Sequence, residues 1–320
     1  MFTLFPNRII WLAATLSCFI IATNTALASD DDGRHRTKTV NCYESDASIQ
    51  DEVDNAKAGR DTTIFIVGFC DESVSIVKGG ITLSGDKDGS NTIGGGLAEV
   101  KVTGAQRVQI EYLELTGPGY GVLVEEDSSV TIRHNNIHNN MASGVGAFNQ
   151  VFVRIEFNTI THNGLRDEDE SGIDGSGGVT IRSRGNYIAE NNYAAVTSGN
   201  MSFFRSESSG GIPDDRETFL QKGCSGGELA GTCGEPGTLA VDCFKNGLCD
   251  FRNTDVTGGI EVSSMSNLEV RNSIINGNIE GYGGSRLALR NTVNSGNVSC
   301  GDATKALYGN PCGESFPQSP

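Results

Sequence analysis

Tryptophan is almost missing from this 320-residue sequence, with a single copy at position 11, and histidine occurs four times. Aromatic residues make up only 7% of the chain. A tight glycan-binding platform is built from stacking rings, so this poverty argues against one. No Cys-x-x-Cys occurs, and with so few histidines the usual zinc and thiol-redox centres have little to build on. Basic charge is also short. Twenty-four Lys and Arg face 40 Asp and Glu, a net charge of −16, which excludes a general attraction to nucleic acid or to anionic lipid. The N-terminal apolar run, Ile9 to Ile21, is shorter than the ~20 residues that span a bilayer.

That run follows Arg8 and ends in Ala26-Leu27-Ala28, ahead of Asp30-Asp31-Asp32. The small-x-small pattern after a short apolar stretch predicts a signal peptide over residues 1–28. A secreted or periplasmic protein with no membrane span after processing is expected. Cysteine usage agrees. Beyond Cys18 there are eight: Cys42, Cys70, Cys224, Cys233, Cys243, Cys249, Cys300 and Cys312. An even count in an exported chain favours disulfides. Proximity suggests Cys42–Cys70, Cys224–Cys233, Cys243–Cys249 and Cys300–Cys312.

What the chain does have is glycine, 42 copies, and an internal repeat. A short strand of the form Gly-(Val/Ile)-x-x recurs, with Val100, Val122, Val145, Ile173, Val196, Ile260, Ile279 and Val298 as its expected inward residues. The intervals are 22, 23, 28, 23, 64, 19 and 19 residues. A second apolar pair follows each: Val108/Ile110, Val130/Ile132, Val153/Ile155, Leu268/Val270 and Leu287/Leu289. A third position comes next, at Leu115, Ile137, Ile160, Ile188 and Ile275. Three short strands per roughly 22 residues describe one coil of a parallel β-solenoid, in which each coil buries its apolar edge only by stacking on the next.

The segments Val130-Thr131-Ile132-Arg133-His134-Asn135-Asn136-Ile137 and Val153-Arg154-Ile155-Glu156-Phe157-Asn158-Thr159-Ile160 resemble the pectate-lyase-like superfamily of right-handed parallel β-helix proteins. The likeness spans roughly residues 38–300. It implies an all-β fold with a short amphipathic helix capping the N-terminal end. Ile49, Val53 and Ala56 at helical spacing, with cap candidates from Ser45 to Ser48, suit that helix. It also implies stacked asparagines between the second and third strands, at Asn135, Asn158 and Asn186. The expected organisation is a cap and first strands over 29–78, coils over 79–204, a disulfide-stapled insertion off the stack over 205–257, coils over 258–300 and a tail over 301–320.

Two places break the repeat: about five extra residues between Ile160 and Gly172, and the long interval between Val196 and Ile260. In the family such loops wall a groove over the first sheet, where substrate lies, and long loops on a rigid scaffold commonly carry function. The expected outward row of that sheet is Lys101, Leu123, Gly146, Asp174, Thr197, Glu261 and Glu280. Asp174 and Glu261 are candidate catalytic carboxylates, two or three strands apart, with His162 or Arg166 as a candidate base. Asp167, Asp169 and Asp174 are candidate ligands for Ca²⁺, which takes hard oxygen donors. A solvated acidic turn is the commoner reading of such a run.

On the second sheet, Glu111, Arg133, Glu156 and Arg184 read as a cross-strand charge ladder. The neighbouring row Thr131, Arg154, Arg182 and Arg205 reads as more of the same, with carboxylate or sulfate clamping as the alternative. His138 and His162 fall in the following turn. The Asn-Thr-Asp string of pectin hydrolases occurs only as Asn253-Thr254-Asp255, expected outside a coil, and the Asp-Pro-His-Asp string of alginate epimerases does not occur. Two functions therefore stand side by side. One is a lyase-like, Ca²⁺-assisted enzyme acting on an extracellular polysaccharide; the other is a non-catalytic secreted or envelope-associated carbohydrate-binding or structural protein.

Overall fold

The computed structural model describes residues 35–95, 99–164, 171–191, 193–204, 218–221, 239–301 and 305–307. The expected signal peptide lies outside them, as do Arg166, Asp167 and Asp169. Among the described residues the chain winds into three parallel sheets, of ten, twelve and ten strands. One turn of the winding is seen at Val122–Glu125, Ser129–Arg133 and Asn136–His138. Each of these strands hydrogen-bonds to its counterpart one coil before and one coil after.

Alternation makes this winding stable. Val130 and Ile132 point inward and are buried, while Thr131 and Arg133 face out. The next coil places Val153 and Ile155 in register beside them. A single stacked core results, running from Val40 to Val298. Each fully buried Val or Ile contributes roughly 1.5–3 kcal/mol relative to exposure, and no coil could hide its own edge alone.

The expected helix occupies Ile49–Asn55, where Ser48 is the N-cap and accepts from the Asp51 amide at 3.2 Å. Glu72 reaches across to accept the Ile49 and Gln50 amides. Ile49 and Val53 are buried, and the helix packs on strands His35–Asn41, Asp61–Val67 and Val74–Ile76. Cys42 and Cys70 are bonded beside it, with their Cα atoms 5.3 Å apart.

Asparagines do stack between the second and third sheets. The Asn135 amide donates to Asn158 Oδ1 at 3.1 Å, and Asn158 to Asn186 Oδ1 at 3.0 Å, while each also donates to a backbone carbonyl of the preceding coil. A second ladder, Asn140–Asn163–Asn191, turns the third sheet into the first. Buried corner amides and carbonyls are thereby satisfied without water.

Three expectations are corrected. In Tyr193–Thr197 the inward residues are Ala195 and Thr197, and Val196 faces out opposite Asp174. Hydropathy favoured Val196, but the neighbouring strand sets the register, and a one-residue slip reverses every side chain. Buried Thr197 is satisfied by accepting the Gly199 amide. Second, the span 205–257 does not leave the stack as a unit. Thr218–Gln221, Leu239–Cys243, Leu248–Arg252 and Asp255–Thr257 are strands of the third, first, second and third sheets. Cys243 and Cys249 are bonded inside this coil, fully buried, and Asn253-Thr254-Asp255 turns one of its corners. Cys224 and Cys233 lie outside the described residues. Cys300 is disulfide-bonded, its partner outside them too. Third, Ser202, not Arg205, follows Arg182 in the second-sheet row.

Candidate functional site on the first sheet

Strand register assembles the outer face of the first sheet. Lys101, Leu123, Gly146, Asp174, Val196, Asp242, Glu261 and Glu280 follow one another in a single file. Its early part is apolar. Tyr120 and Phe148 meet edge to face over Gly146, with ring centroids 6.0 Å apart. A Cβ on Gly146 would come within 2.7 Å of the Tyr120 ring, so glycine is what lets the rings lie down on the sheet. Lys101 is engaged by Glu125 at 2.7 Å.

The later part is acidic. Asp242, Glu261 and Glu280 occupy three consecutive strands, each ~4.8 Å from the next. The Tyr282 hydroxyl donates to Glu280 Oε2 at 3.3 Å. Asp174 and Glu261 are three strands apart, ~14 Å at that spacing, beyond the ~6.5–9.5 Å that inverting glycosidases use. His162 is paired with Glu190, and its backbone is left-handed, as is that of Asn139. His138 Nε2 donates to the Glu114 carboxylate at 2.7 Å, and His138 is in register with Thr161 rather than with His162.

Residues 78–212 match the family model described as a right handed beta helix region. The chain has the right-handed parallel β-helix fold. No curated protein matches it. A solved alginate lyase from Paenibacillus sp. str. FPU-7 is similar over 84% of this chain and 99% of that one, at 13% identity and a TM-score of 0.51. The ORF18 protein of Geobacillus virus E2 is similar over 82% and 61%, at 12% identity and a TM-score of 0.41. At such identities the likenesses concern the fold.

Two groups in the later, acidic part of this face have shifted pKa values. Burial, and then the neighbouring Glu261 charge, pushes the Asp242 carboxyl up to about 6. Asp242 Oδ1 is buried and has no hydrogen-bond partner among the described residues, so the loss of water around that oxygen disfavours the charged form. Tyr282 is raised as well, by burial first and then by Glu261 and Glu280, which keeps it a neutral phenol. Asp242 was not among the residues expected from the sequence. The signal that could have found it is the string Leu239-Ala240-Val241-Asp242-Cys243, which alternates like a first-sheet strand but lacks the preceding glycine.

Metal ligation is narrower. Among the described residues, the one group of three or more ligand atoms close enough to hold an ion is Cys42, Cys70 and Glu72. Its sulfurs form a disulfide and its carboxylate caps the helix, which explains it without a metal. Of the three expected Ca²⁺ ligands only Asp174 is described. It faces out from Ser171–Ser176, and one carboxylate falls well short of the six to eight oxygens Ca²⁺ takes.

Proposed function

We propose that this β-helix is an exported protein that binds and cleaves an extracellular polysaccharide along the outer face of its first sheet, with Asp242 as the proton-carrying group. The observation that supports this reading is a half-buried carboxyl with its acidity pushed up to about 6, in register beside a second carboxylate, Glu261. A group of that acidity exchanges protons near neutral pH, the property general acid–base catalysis needs. Neutral Asp242 donates to a glycosidic oxygen, and its anion accepts a proton from the sugar ring. Glu261 keeps the proton on Asp242 by like-charge repulsion, as in other close carboxylate pairs. The Tyr282 phenol is a further donor. The apolar rings of Tyr120 and Phe148 form a shelf against which a sugar face can pack.

Ca²⁺ held by Asp167, Asp169 and Asp174 belongs to the same proposal; when bound it would neutralise the carboxylate of an acidic sugar. Cys42–Cys70, Cys243–Cys249 and the oxidised Cys300 support export, because such bonds persist in oxidising compartments. The helix Ile49–Asn55 is proposed to close the N-terminal end of the stack.

The test is a panel of uronate-containing and neutral glycans, followed by ultraviolet absorbance for unsaturated ends and by new reducing ends. Wild type is expected to release product with a pH profile inflecting near 6, and Asp242→Asn to lose about 10²–10⁴-fold in rate. Product release by Asp242→Asn at the wild-type rate would remove the catalytic assignment. Glycan binding without product would favour the non-catalytic reading, which the Tyr120–Phe148 shelf by itself supports.

A further inference from the structure

A second feature lies on a different face. Strands Phe152–Glu156 and Thr180–Arg184 of the second sheet pair so that Arg154 stands directly beside Arg182. Both are exposed, and both guanidinium carbons lie 5.4 Å from the centroid of the same ring, Phe152. One aromatic face thus holds two cations side by side on neighbouring strands, ~4.8 Å apart at the backbone. Like charges directly opposite each other weaken a sheet, and cation–ring attraction offsets only part of that.

No described side chain neutralises this pair. Among the described residues neither arginine has an ion pair or any other polar contact. Three other arginines of the sheet are engaged: Arg133 by Glu111 at 2.7 Å, Arg252 by Asp250 at 2.7 Å, and Arg271 by Glu269. The file through the pair reads Gln109, Thr131, Arg154, Arg182, Ser202, Asp250 and Glu269. Among the described residues its positive end is uncompensated, whereas its negative end is neutralised by Arg252 and Arg271. That difference disfavours a second copy docking by charge complementarity, since the acidic residues it would offer are taken.

We propose that Arg154 and Arg182 form an oxyanion-binding site for the sulfate or carboxylate groups of an acidic glycan, on a face separate from the first-sheet site. Two planar forks, pre-oriented by Phe152, suit bidentate contact with such groups. Duplex nucleic acid requires several phosphates to be neutralised at once, and two arginines on a chain of net charge −16 do not meet that need. The glycan as carrier of the anion rests on the polysaccharide reading above; anion binding by the pair does not.

The experiment is calorimetric titration of the folded protein at low ionic strength with sulfated dextran, oligogalacturonate, neutral dextran and duplex DNA. Wild type, Arg154→Gln/Arg182→Gln and Asp242→Asn are compared. Expected are saturable binding of at least one anionic glycan, no binding of neutral dextran, a loss of about tenfold or more in the double variant, and retention in Asp242→Asn. Whether sulfated dextran or oligogalacturonate binds more tightly identifies the anion. The double variant should melt no lower than wild type, because it removes a repulsion. Failure of wild type to bind either anionic glycan, equal binding by the double variant, or equally tight DNA binding would overturn the proposal. So would a lower melting temperature in the double variant, or a wild-type dimer that dissociates in it. Because Asp242→Asn leaves this face untouched, loss of cleavage and loss of anion binding report on separate sites.

Discussion

The coils before Asn191 and those after Leu239 turn the same corners with different chemistry. In the first group, Asn135, Asn158 and Asn186 bridge the second and third sheets, with 23 residues between the first two. In the second group the matching corner is turned by Thr254 and Ser273, 19 residues apart, with the Ser273 hydroxyl accepting the Thr254 amide at 3.1 Å. The corner between the third and first sheets changes likewise. Asn140, Asn163 and Asn191 give way to Gly258, Gly277 and Gly296, stacked so closely that a Cβ on Gly277 would lie 2.1 Å from the Gly258 carbonyl oxygen. An asparagine fills a roomy corner and satisfies several buried groups. In the shorter coils small hydroxyls and bare backbone take most of these places, and Asn278 Oδ1 accepts the Asn297 amide at 3.0 Å. The acidic file lies where the coils shorten, which brings Asp242, Glu261 and Glu280 onto successive strands.

This comparison predicts an order of sensitivities. Asn158→Ala should be the most damaging change. It orphans the Asn135 backbone amide and one of the two N–H groups of the Asn135 side chain, each a buried donor worth ~1–3 kcal/mol when unpaired, so a loss of about 2–5 kcal/mol in denaturant unfolding is expected. Gly277→Ala should cost about 3 kcal/mol, the upper end of ordinary overpacking, because the obstructing atom is backbone. A loss below about 1 kcal/mol would show that the short coils can spread, and would weaken the contrast. Ser273→Ala removes one acceptor from one buried amide and should cost roughly 1–2 kcal/mol, clearly less than its asparagine counterpart.

The smallest effect is the pH dependence at Asp242. Its folded pKa lies above the ordinary carboxylate value, so its contribution to stability is fully present below about pH 4 and is lost as pH rises through about 6. Asp242→Asn should therefore match wild type near pH 4 and be more stable at pH 8, by on the order of 1 kcal/mol after allowance for solvent screening. Equal stabilities at both pH values would show that Asp242 is better solvated than its burial suggests. At the other end of the file, calorimetry of Ca²⁺ into chelator-treated protein with Asp174→Ala alongside checks the proposed ion. Saturable binding lost in the variant is the expected result, and no binding at millimolar Ca²⁺ would remove the ion from the proposal.

Much of the fold was legible because its signals are local and repeated. Val130, Ile132 and Ile137 declare their facings within eight residues, and the next coil repeats them. Cys42–Cys70 and Cys243–Cys249 followed from proximity. The candidate site was legible only in part. Asp174, Glu261 and Glu280 sit beside recognisable inward residues, but Asp242 is flanked by long stretches without the repeat, and the ring pair over Gly146 comes from two different coils. Arg154 and Arg182 could be aligned by counting, yet the Phe152 ring they share and the lack of a partner among the described residues could not.

The alternation of apolar and polar residues, with glycine and asparagine at regular intervals, by itself determined that this chain forms stacked parallel coils, because a strand's facing repeats every two residues and a lone coil cannot bury its edge. Which residues meet across coils was decided by tertiary structure alone. Register is set by hydrogen bonds to a strand 19 to 48 residues away, and shifting it by one position would carry Val196 inward and take Asp242 off the file that brings it beside Glu261.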